Sequence, residues 1–304
     1  MYQFDPFLQN ILNNISDHIV VIDYAGEIVF TNKAWDQFSI DNDYNPDKTW
    51  LQQNYLQTCD NAALGGDEFA VQVAKGIRQI INKELTEFYF EYPCHSPNEK
   101  RWFMMTAKPM QQDSKHLIVI THTNITERKL TEEAVEYLSK NDPLTNIANR
   151  RQFDKFLDHA WKQNQRKKRD VVLALVDLDC FKHINDQYGH QTGDKALIEV
   201  SKLLTEITQR PTELCARYGG DEFIVVYTEE NMKEVYKLLT TFQKRLDALK
   251  ILNGNSECSK HLTTSIGLAS LTPTNNNRSS FLIEAADRLL YCAKNKGRNT
   301  LVYA

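Results

Sequence analysis

A glycine turn between two apolar segments is the feature that most constrains how this chain can fold. Residues 217–223 read RYGGDEF, with an apolar run before them at 214–216 and another after them at 224–227. Short apolar runs on both sides of a glycine turn are typical of a β-hairpin. The sequence therefore predicts two paired strands whose connecting turn carries two glycines and two carboxylates.

The residues of this turn suit phosphate chemistry. Gly219 and Gly220 lack a Cβ atom, so a ligand can approach the backbone closely at this point. Asp221 and Glu222 place two carboxylates side by side, which is unfavourable unless a cation shares them, and oxygen ligands of this kind suit Mg²⁺. A backbone that phosphates can approach, beside carboxylates that can hold their metal, indicates a site for a nucleotide.

The five letters GGDEF also occur at residues 65–69, where a different context predicts a different structure. Apolar residues follow this copy at positions 70, 73, 77 and 80, a spacing that places them on one face of a helix. No β-type run precedes it, because residues 58–64 are mixed and polar. We therefore interpret Asp67 as the N-cap of a helix and expect no ligand site here.

Length and composition bound the class of protein. A chain of 304 residues, 41% hydrophobic and 25% charged, is expected to form about two globular domains. Its apolar runs are too short to span a bilayer, and its N-terminal residues do not resemble a signal peptide, so we expect a cytoplasmic protein without a membrane span. A formal net charge of −4 gives no expectation of nucleic-acid binding. The six cysteines include no CxxC pair, and we expect neither a zinc site nor disulfides.

Residues 1–125 are predicted to form a small α+β domain. A helical opening is followed by β-type runs at 19–22 and 28–30, then by helical segments, and then by β-type runs at 88–92, 102–107 and 117–121. Five such runs predict a five-stranded antiparallel sheet with helices. The order of two strands, helices and three strands resembles the PAS family, which implies a sensor and dimerisation domain.

The sequence does not specify a ligand for this PAS-like domain. The stretch around Cys59 lacks the asparagine-cysteine-arginine arrangement of flavin-binding light sensors. His95, His116 and His122 lie on or beside predicted strands without a discernible partner of the kind that orients a haem ligand. We therefore interpret all three as structural or exposed histidines.

Residues 126–141 are predicted to form a helical linker between two domains. Leu130, Ala134 and Tyr137 recur at the spacing of a short coiled-coil seam, while the glutamates between them keep the other faces polar. The helix is expected to end at Asp142, because the residue before a proline disfavours helical geometry.

Residues 142–304 are predicted to form an α/β domain. Helical patterns at 151–163, 195–207, 232–249 and 281–294 alternate with β-type runs at 171–176, at 262–268 and in the glycine hairpin. This alternation predicts a mixed sheet covered by helices.

Acidic residues follow the buried strand of this second domain. Asp177 and Asp179 lie at alternate positions after the run 171–176, so both carboxylates are expected on one face at the end of the strand. Ligands of α/β sheets commonly bind at such strand ends. If Asp177 converges with Asp221 of the hairpin, the two can hold Mg²⁺ beside phosphate oxygens. Lys182 could then offset the charge that develops on phosphate.

Asn185 and Asp194 are candidates for reading a guanine base. An amide and a carboxylate together match the O6 acceptor and the N1 and N2 donors of guanine, whereas adenine would leave the carboxylate unpaired. Asp194 also precedes the predicted helix 195–207, so it could instead be the N-cap of that helix. Lys294 and Arg298 could bind phosphates, although cations are favoured at a helix C-terminus irrespective of function.

These motifs occur together, in the same order, in GGDEF-domain diguanylate cyclases, and residues 140–304 resemble that family. The resemblance rests on residues 142–145 and 149–150, the acidic block 177–186, residues 193–194, the hairpin, and residues 294–299. It implies a palm-like α/β fold and the conversion of two GTP into cyclic di-GMP with release of two pyrophosphates. With its PAS-like first half, the whole chain resembles a PAS–GGDEF signalling enzyme.

The resemblance also implies roles for the motif residues. Mg²⁺, or Mn²⁺ in its place, would be bound by the Asp177 carboxylate, the Leu178 carbonyl and the Asp221 carboxylate. The substrate GTP would be bound by Phe181, Lys182, Asn185, Asp194, Gly219, Gly220, Lys294 and Arg298. Lys182 would also stabilise the transition state, and either Glu222 or Asp221 would assist deprotonation of the attacking 3′-hydroxyl. Because each domain would hold one GTP, the implied enzyme acts as a homodimer.

One motif departs from the family pattern. Many members carry an Arg-x-x-Asp motif just upstream of the hairpin, which binds the product and inhibits the enzyme. Here those positions begin with Arg210 and end with Glu213, whose side chain is one methylene longer than aspartate. Arg210, Glu213 and Arg217 form the candidate product site, and we expect product inhibition to be weakened.

Two other classes of function fit the sequence less well. A receptor for GTP or cyclic di-GMP without catalytic activity would not require the complete set of Asp177, Lys182, Asp221 and Glu222. A transcription regulator would require a helix-turn-helix or a basic recognition element, and the sequence contains neither.

Overall fold

The structure is a computed structural model that describes residues 5–42, 50–51, 53–112, 115–254 and 259–304. The chain divides into two compact units, Met1–Glu133 and Ala134–Ala304. The division falls within a helix, Thr126–Lys140, where the sequence predicts the linker.

The first unit is an antiparallel sheet with helices. Its elements are α1 (Pro6–Asn13), β1 (His18–Asp23), β2 (Ile28–Thr31), α2 (Lys33–Asp41), α3 (Tyr55–Leu64), α4 (Glu68–Ile81), β3 (Phe88–Pro93), β4 (Trp102–Gln112) and β5 (Lys115–Asn124). The sheet order is β2-β1-β5-β4-β3, with every neighbouring pair antiparallel. The predicted five-stranded antiparallel sheet is confirmed, whereas its assignment to the PAS family stays a prediction.

The earlier GGDEF copy begins a helix, as its context predicts. Asp67 is the N-cap of α4, and its carboxylate accepts hydrogen bonds from the backbone N–H groups of Phe69 and Ala70 at 2.9 and 3.2 Å. The inner stripe of this helix, which includes Ile77 and Ile80, is buried against the sheet core. The same five letters therefore serve as a helix start in the first unit.

His122 on β5 is buried among polar aromatic groups. The Tyr92 hydroxyl lies 2.6 Å from its Nδ1 atom, and the Tyr55 hydroxyl lies 3.5 Å from its Nε2 atom. Burial, and secondarily the charge of His18, lowers the pKa of His122 to about 3, so the ring is neutral at ordinary pH. His95 and His116 are exposed.

The second unit is an α/β sandwich that follows α5 (Thr126–Lys140). Its elements are β6 (Ala148–Asn149), α6 (Arg150–Lys167), β7 (Val171–Leu178), α7 (Phe181–Tyr188), α8 (His190–Glu206), β8 (Glu213–Gly219), β9 (Glu222–Tyr227), α9 (Met232–Ala248), β10 (Thr264–Leu271), α10 (Ser279–Asn295) and β11 (Leu301–Tyr303). The sheet order is β11-β10-β7-β9-β8-β6, and the β10–β11 and β6–β8 pairs are parallel. The predicted mixed sheet covered by helices is confirmed.

The helices of the second unit form two layers, one on each face of the central strand β7. All eight of its residues are buried, which explains its unbroken apolar sequence. Val172, Ala174 and Val176 pack with α7, α8 and α9, whereas Leu173 and Leu175 pack with α6 and α10. Because side chains alternate along a strand, Asp177 belongs to the layer of α6 and α10.

Two expectations about this unit are wrong. The helix expected at 195–207 begins at His190 instead, and a separate short helix, α7, precedes it. Cys180 is disulfide-bonded, against the expectation that the cysteines are reduced, while Cys59, Cys94, Cys215 and Cys292 are free. No helix within the described ranges is both long and apolar enough to cross a membrane.

Candidate active site

The site is built where the ends of β7, β8 and β9 meet. In the β7–β9 ladder Asp177 lies directly opposite Glu222, so their side chains project from the same face. The backbone N–H of Leu178 donates to the carbonyl oxygen of Asp221 at 3.3 Å, which ties the hairpin turn to the end of β7. The strand end and the hairpin therefore bring Asp177, Asp221 and Glu222 together, as the sequence predicts.

The surroundings of the Asp177 carboxylate favour a positive charge beside it. The pKa of Asp177 is raised to about 6: burial is the largest cause, Lys294 lowers the pKa, and the negative charges of Asp221 and Glu222 raise it. The Lys294 Nζ atom lies 2.6 Å from Asp177 Oδ2. The end of α10 thus supplies the positive charge beside Asp177, and Lys294 belongs to the site rather than only to a helix terminus.

Asp179 has a structural role, which the sequence did not separate from that of Asp177. β7 ends at Leu178, and Asp179 is fully buried beyond it. Its carboxylate accepts hydrogen bonds from the Thr263 hydroxyl at 2.7 Å, the Ser265 hydroxyl at 2.6 Å and the Asn299 backbone N–H at 3.0 Å. These donors satisfy most of the acceptor capacity of the carboxylate, so Asp179 joins three segments of the second unit.

The hairpin turn leaves open space beside its glycines. Gly220 has φ +52°, a left-handed conformation that favours glycine, and the strand pairing shifts register between Arg217 and Gly219. A Cβ atom added at Gly219 or Gly220 would meet no atom within 4 Å. The room for a ligand that the two glycines predict is therefore present.

Two flanking residues hold the turn in place. Arg217 donates from Nε to the Gly220 carbonyl at 2.9 Å and from a guanidinium nitrogen to Asp142 Oδ1 at 3.1 Å. The Tyr218 ring packs edge-on against Phe153 and lies under the guanidinium of Arg150, 4.6 Å from the ring centroid. Neither anchor is evident from local sequence, because Asp142, Phe153 and Arg150 are all distant from the turn along the chain. Asp142 and Arg150 belong to motifs that the sequence marks, but those motifs do not indicate the pairing.

The candidate guanine-binding residues lie on α7 and α8, in the layer opposite to Asp177. Asn185 is half-buried and Asp194 is exposed. Asp194 is the fifth residue of α8, whose N-cap is Gly189, so the interpretation of Asp194 as an N-cap is wrong. Asp194 is thus an exposed residue within a helix, and its role in binding guanine stays a prediction.

Gly193 sets the position of the Asn185 amide. A Cβ atom at Gly193 would lie 1.9 Å from Asn185 Oδ1, far inside contact distance. The absence of a side chain at Gly193 therefore allows α7 and α8 to pack with Asn185 in its present place. In the sequence, the motif Gly193-Asp194 marks this position but does not indicate the contact with Asn185.

Three other predicted substrate residues surround these elements. Phe181 is buried at the start of α7, and Lys182 beside it is exposed. Arg298 is exposed after the end of α10 and adopts φ +65°, with its backbone N–H bonded to the Ala293 carbonyl. Lys182 on α7 and Arg298 just after α10 are thus both accessible to a ligand.

The residues of the candidate product site make contacts with other side chains, and their role in binding product stays a prediction. Arg210 forms an ion pair with Glu230, and its guanidinium lies 3.8 Å from Glu213 Oε1. Arg217 instead binds Asp142 and the hairpin turn. Arg210 is thus paired with Glu230 in addition to Glu213, and Arg217 has partners of its own.

The donor atoms of the strand end fit a magnesium ion. No cluster of three or more histidine, cysteine, aspartate or glutamate side chains arranged to hold a metal occurs in the described part of the chain. The predicted set needs no such cluster, since it combines two carboxylates, Asp177 and Asp221, with the Leu178 carbonyl. All three are oxygen donors, and Mg²⁺ is usually held by one or two carboxylates together with substrate phosphates.

Comparison with known proteins agrees with this architecture. Residues 139–300, just over half of the chain, match the family model described as diguanylate cyclase, GGDEF domain. The chain belongs to the GGDEF family.

Individual relatives match over the same region. The chain is 34% identical over 190 residues to diguanylate cyclase DgcM of Escherichia coli, covering 62% of this chain and 44% of DgcM. It is 32% identical over 179 residues to probable diguanylate cyclase DgcC of Escherichia coli, covering 59% of this chain and 46% of DgcC. The chain thus spans less than half the length of these curated relatives.

A solved structure supports the fold of the second unit. The coiled coil and GGDEF domain of DgcB from Caulobacter crescentus, in complex with c-di-GMP, has a TM-score of 0.54 and 30% sequence identity. The match covers 59% of this chain and 93% of that chain.

Proposed function

We propose that this protein is a diguanylate cyclase that joins two GTP molecules into cyclic di-GMP and releases two pyrophosphates. The observation that carries the proposal is the cross-strand position of Asp177 opposite Glu222, with Asp221 in the adjoining turn and Lys294 bound to Asp177. This arrangement combines acidic groups for a metal, a cation for phosphate and an open glycine turn.

Each domain would bind one GTP across the end of the sheet. Asn185 and Asp194 would pair with the guanine edge, which presents one acceptor and two donors to them. The triphosphate would pass the open backbone of Gly219 and Gly220. Lys182, Lys294 and Arg298 would contact its phosphate oxygens, because charge-assisted hydrogen bonds to phosphate are stronger than neutral ones.

Mg²⁺, or Mn²⁺ in its place, would be held by Asp177, the Leu178 carbonyl and Asp221, where it would neutralise charge on the phosphates. Lys294 balances part of the negative charge of Asp177.

The reaction requires two facing domains, because the 3′-hydroxyl of each GTP must reach the α-phosphorus of the other. The 3′ oxygen forms a bond to phosphorus, the bond to the β-phosphate oxygen breaks, and pyrophosphate leaves. Glu222 or Asp221 would assist by accepting the hydroxyl proton. Lys182 would stabilise the charge that develops on the α-phosphate. Two such transfers close the cyclic dinucleotide, so the active species is a homodimer.

The first unit would act as a PAS-like sensor and dimerisation domain, with α5 as the signalling helix. Signal binding would have to favour one arrangement of the paired helices over another, since a ligand with equal affinity for both changes nothing. The exposed apolar residues of α5, among them Leu130, Tyr137 and Leu138, support helix pairing.

The test is incubation of the purified protein with GTP and Mg²⁺, with products separated by chromatography. We expect cyclic di-GMP from the wild type and none from Asp221→Ala. Wild-type protein that binds GTP but forms no product under any tested metal would contradict the proposal and favour the receptor alternative.

A further inference from the structure

A pocket of about 420 Å³ opens beside the candidate active site on the face of α10. Its lining residues are Glu222, Asp287, Arg288, Leu290, Tyr291, Cys292 and Lys294. Two of them, Glu222 and Lys294, belong to the proposed catalytic machinery, whereas the others have no role in it. The pocket therefore extends the site along α10 beyond Lys294.

The pocket lies in a different layer from the proposed base site. Ile224, two residues after Glu222 on β9, packs with α6 and α10, so Glu222 projects into that same layer. Asn185 and Asp194 lie on α7 and α8, which cover the opposite face of the sheet. A guanine bound between those helices leaves the pocket free for another group.

The lining of the pocket offers a guanidinium and an aromatic ring that are free to bind. Arg288 is exposed, its Nε donates to the Glu284 carbonyl at 3.3 Å, and no carboxylate lies within ion-pair distance of it in the described part of the chain. Tyr291 is 66% exposed and makes no ring contact with a described residue. Tyr291 precedes Lys294 by three residues, about 4.5 Å along the helix axis, so both reach the same end of the pocket.

The identity of the occupant follows from Glu222. If Glu222 accepts the proton of an attacking 3′-hydroxyl, the ribose that carries this hydroxyl must approach Glu222, and Glu222 lines the pocket. That hydroxyl belongs to the GTP held by the facing domain, since no GTP attacks its own α-phosphate.

Building on the proposed cyclase function, we propose that this pocket receives the GTP held by a second copy of the chain. Tyr291 packs against the ribose of that GTP, and Arg288 binds one of its phosphates. Both are positioning residues, which bring the partner's 3′-hydroxyl to Glu222. Each domain thus recognises the base of its own GTP through α7 and α8 and positions the facing GTP through Arg288 and Tyr291 of α10.

The experiment separates binding of a domain's own nucleotide from reaction with the facing one. Affinity is measured with 3′-deoxy-GTP, which lacks the attacking hydroxyl, in protein diluted until light scattering shows monomers. The rate of cyclic di-GMP formation is measured over a series of higher protein concentrations. The variants are Arg288→Ala and Tyr291→Ala, with Tyr291→Phe to retain the ring. Arg278→Ala, an exposed arginine at the start of α10, is the matched control.

We expect Arg288→Ala and Tyr291→Ala to lower the rate by roughly tenfold or more, while the affinity for 3′-deoxy-GTP stays within about twofold. Tyr291→Phe should recover most of the rate, and Arg278→Ala should match the wild type in both measurements. Unchanged rates in the first two variants would overturn the inference, as would a loss of affinity equal to the loss of rate, which would place the residues at the domain's own GTP. Failure of the wild type to form product would overturn the proposed function, and this inference with it.

Discussion

Arg217 binds both Asp142, which lies 75 positions earlier in the chain, and the Gly220 carbonyl in the hairpin turn. One guanidinium thereby joins the segment that follows α5 to the turn that carries the carboxylates of Asp221 and Glu222. Burial raises the pKa of Asp142, but hydrogen bonds from Thr145 and Arg217 outweigh it and hold that pKa below its usual value. The pair is mostly buried, with 17% and 18% of the two side chains exposed, so water screens it little.

We therefore predict that Arg217→Ala destabilises the second unit by about 1–3 kcal/mol, the range for a lost hydrogen bond to a charged group. The rate of cyclic di-GMP formation should also fall, because the turn loses its tether at Gly220. Chemical denaturation and the product assay measure the two effects. Arg245→Ala breaks an exposed ion pair with Glu206 and should change stability by less than about 1 kcal/mol. Equal effects of the two substitutions would contradict the prediction.

Gly193→Ala should weaken guanine binding without unfolding the protein. The new Cβ atom displaces the Asn185 amide, which is the end of a flexible side chain and can move at little cost to the fold. Loss of the Asn185 hydrogen bonds costs about 1–3 kcal/mol, equivalent to roughly tenfold to hundredfold in the affinity for 3′-deoxy-GTP. In an Asn185→Ala background the same substitution should have almost no further effect. Independent, additive losses would show that Gly193 does not act through Asn185.

Lys294→Met should have opposite effects on metal binding and on catalysis. The Lys294 ammonium competes with a metal ion for Asp177, so its removal should strengthen Mn²⁺ binding in the absence of nucleotide, by roughly tenfold. Cyclic di-GMP formation should nevertheless fall, because a phosphate contact is lost. Mn²⁺ titration followed by electron paramagnetic resonance measures the first effect. Asp177→Asn serves as the control and should weaken Mn²⁺ binding; weaker binding in Lys294→Met as well would refute the competition.

Product inhibition should be weak in the wild type and should strengthen in Glu230→Ala. Glu230 occupies the Arg210 guanidinium, and its removal frees that group for a phosphate of cyclic di-GMP. Isothermal titration calorimetry with cyclic di-GMP gives the product affinity, and inhibition curves give its effect on the rate, for the wild type and for Glu230→Ala. Glu229→Ala removes the neighbouring carboxylate, which lies near Lys167 and Arg169, and should behave as the wild type. Submicromolar product binding by the wild type that Arg210→Ala abolishes would contradict the expectation.

Acid should destabilise the first unit through His122. The folded protein holds the pKa of His122 at about 3, below the ordinary value of 6.5, so the unfolded chain binds the proton first as pH falls. The contribution of neutral His122 to the free energy of unfolding is complete above pH 6.5. It is lost between pH 6.5 and pH 3, at up to about 1.4 kcal/mol per pH unit. Urea unfolding followed by tryptophan fluorescence reports mainly on this unit, which contains three of the four tryptophans.

His122→Gln should flatten this pH dependence, because the side chain no longer titrates. His116→Gln changes an exposed histidine on the same strand and should keep the wild-type slope. If both variants retain the full slope, the pH dependence arises from other groups.

Much of the fold was predictable because its signals are local. Buried strands appear as apolar runs, and amphipathic helices as apolar residues at helical spacing. The resemblance marked Asp177 and Asp221 as ligands of one metal ion, and this role stays a prediction. The boundary of α8 was missed because Gly189, with φ +81°, separates two helices without a side-chain cap. The preceding helix α7 begins at Phe181, and its N-cap residue Cys180 also makes no side-chain capping hydrogen bond.

The contacts that position the site could not be read from local patterns. The partners of Arg217 and Asp179 lie 75 and more than 80 positions away, and their pairing depends on how the sheet assembles. The clash that a side chain at Gly193 would cause depends on the distance between two helices. Sequence periodicity specifies which faces are buried, but it does not specify which polar groups then meet.

Successive side chains of β7 point to opposite faces of the sheet. The candidate site therefore depends on the number of residues in this strand rather than on which apolar residues it contains. One apolar residue of β7 can replace another at a modest cost in stability. Loss of a single residue, however, would turn Asp177 towards α7 and α8 and bring an apolar neighbour beside Lys294. In relatives that keep this chemistry, insertions and deletions should therefore accumulate in the loops, while the spacing within β7 stays fixed.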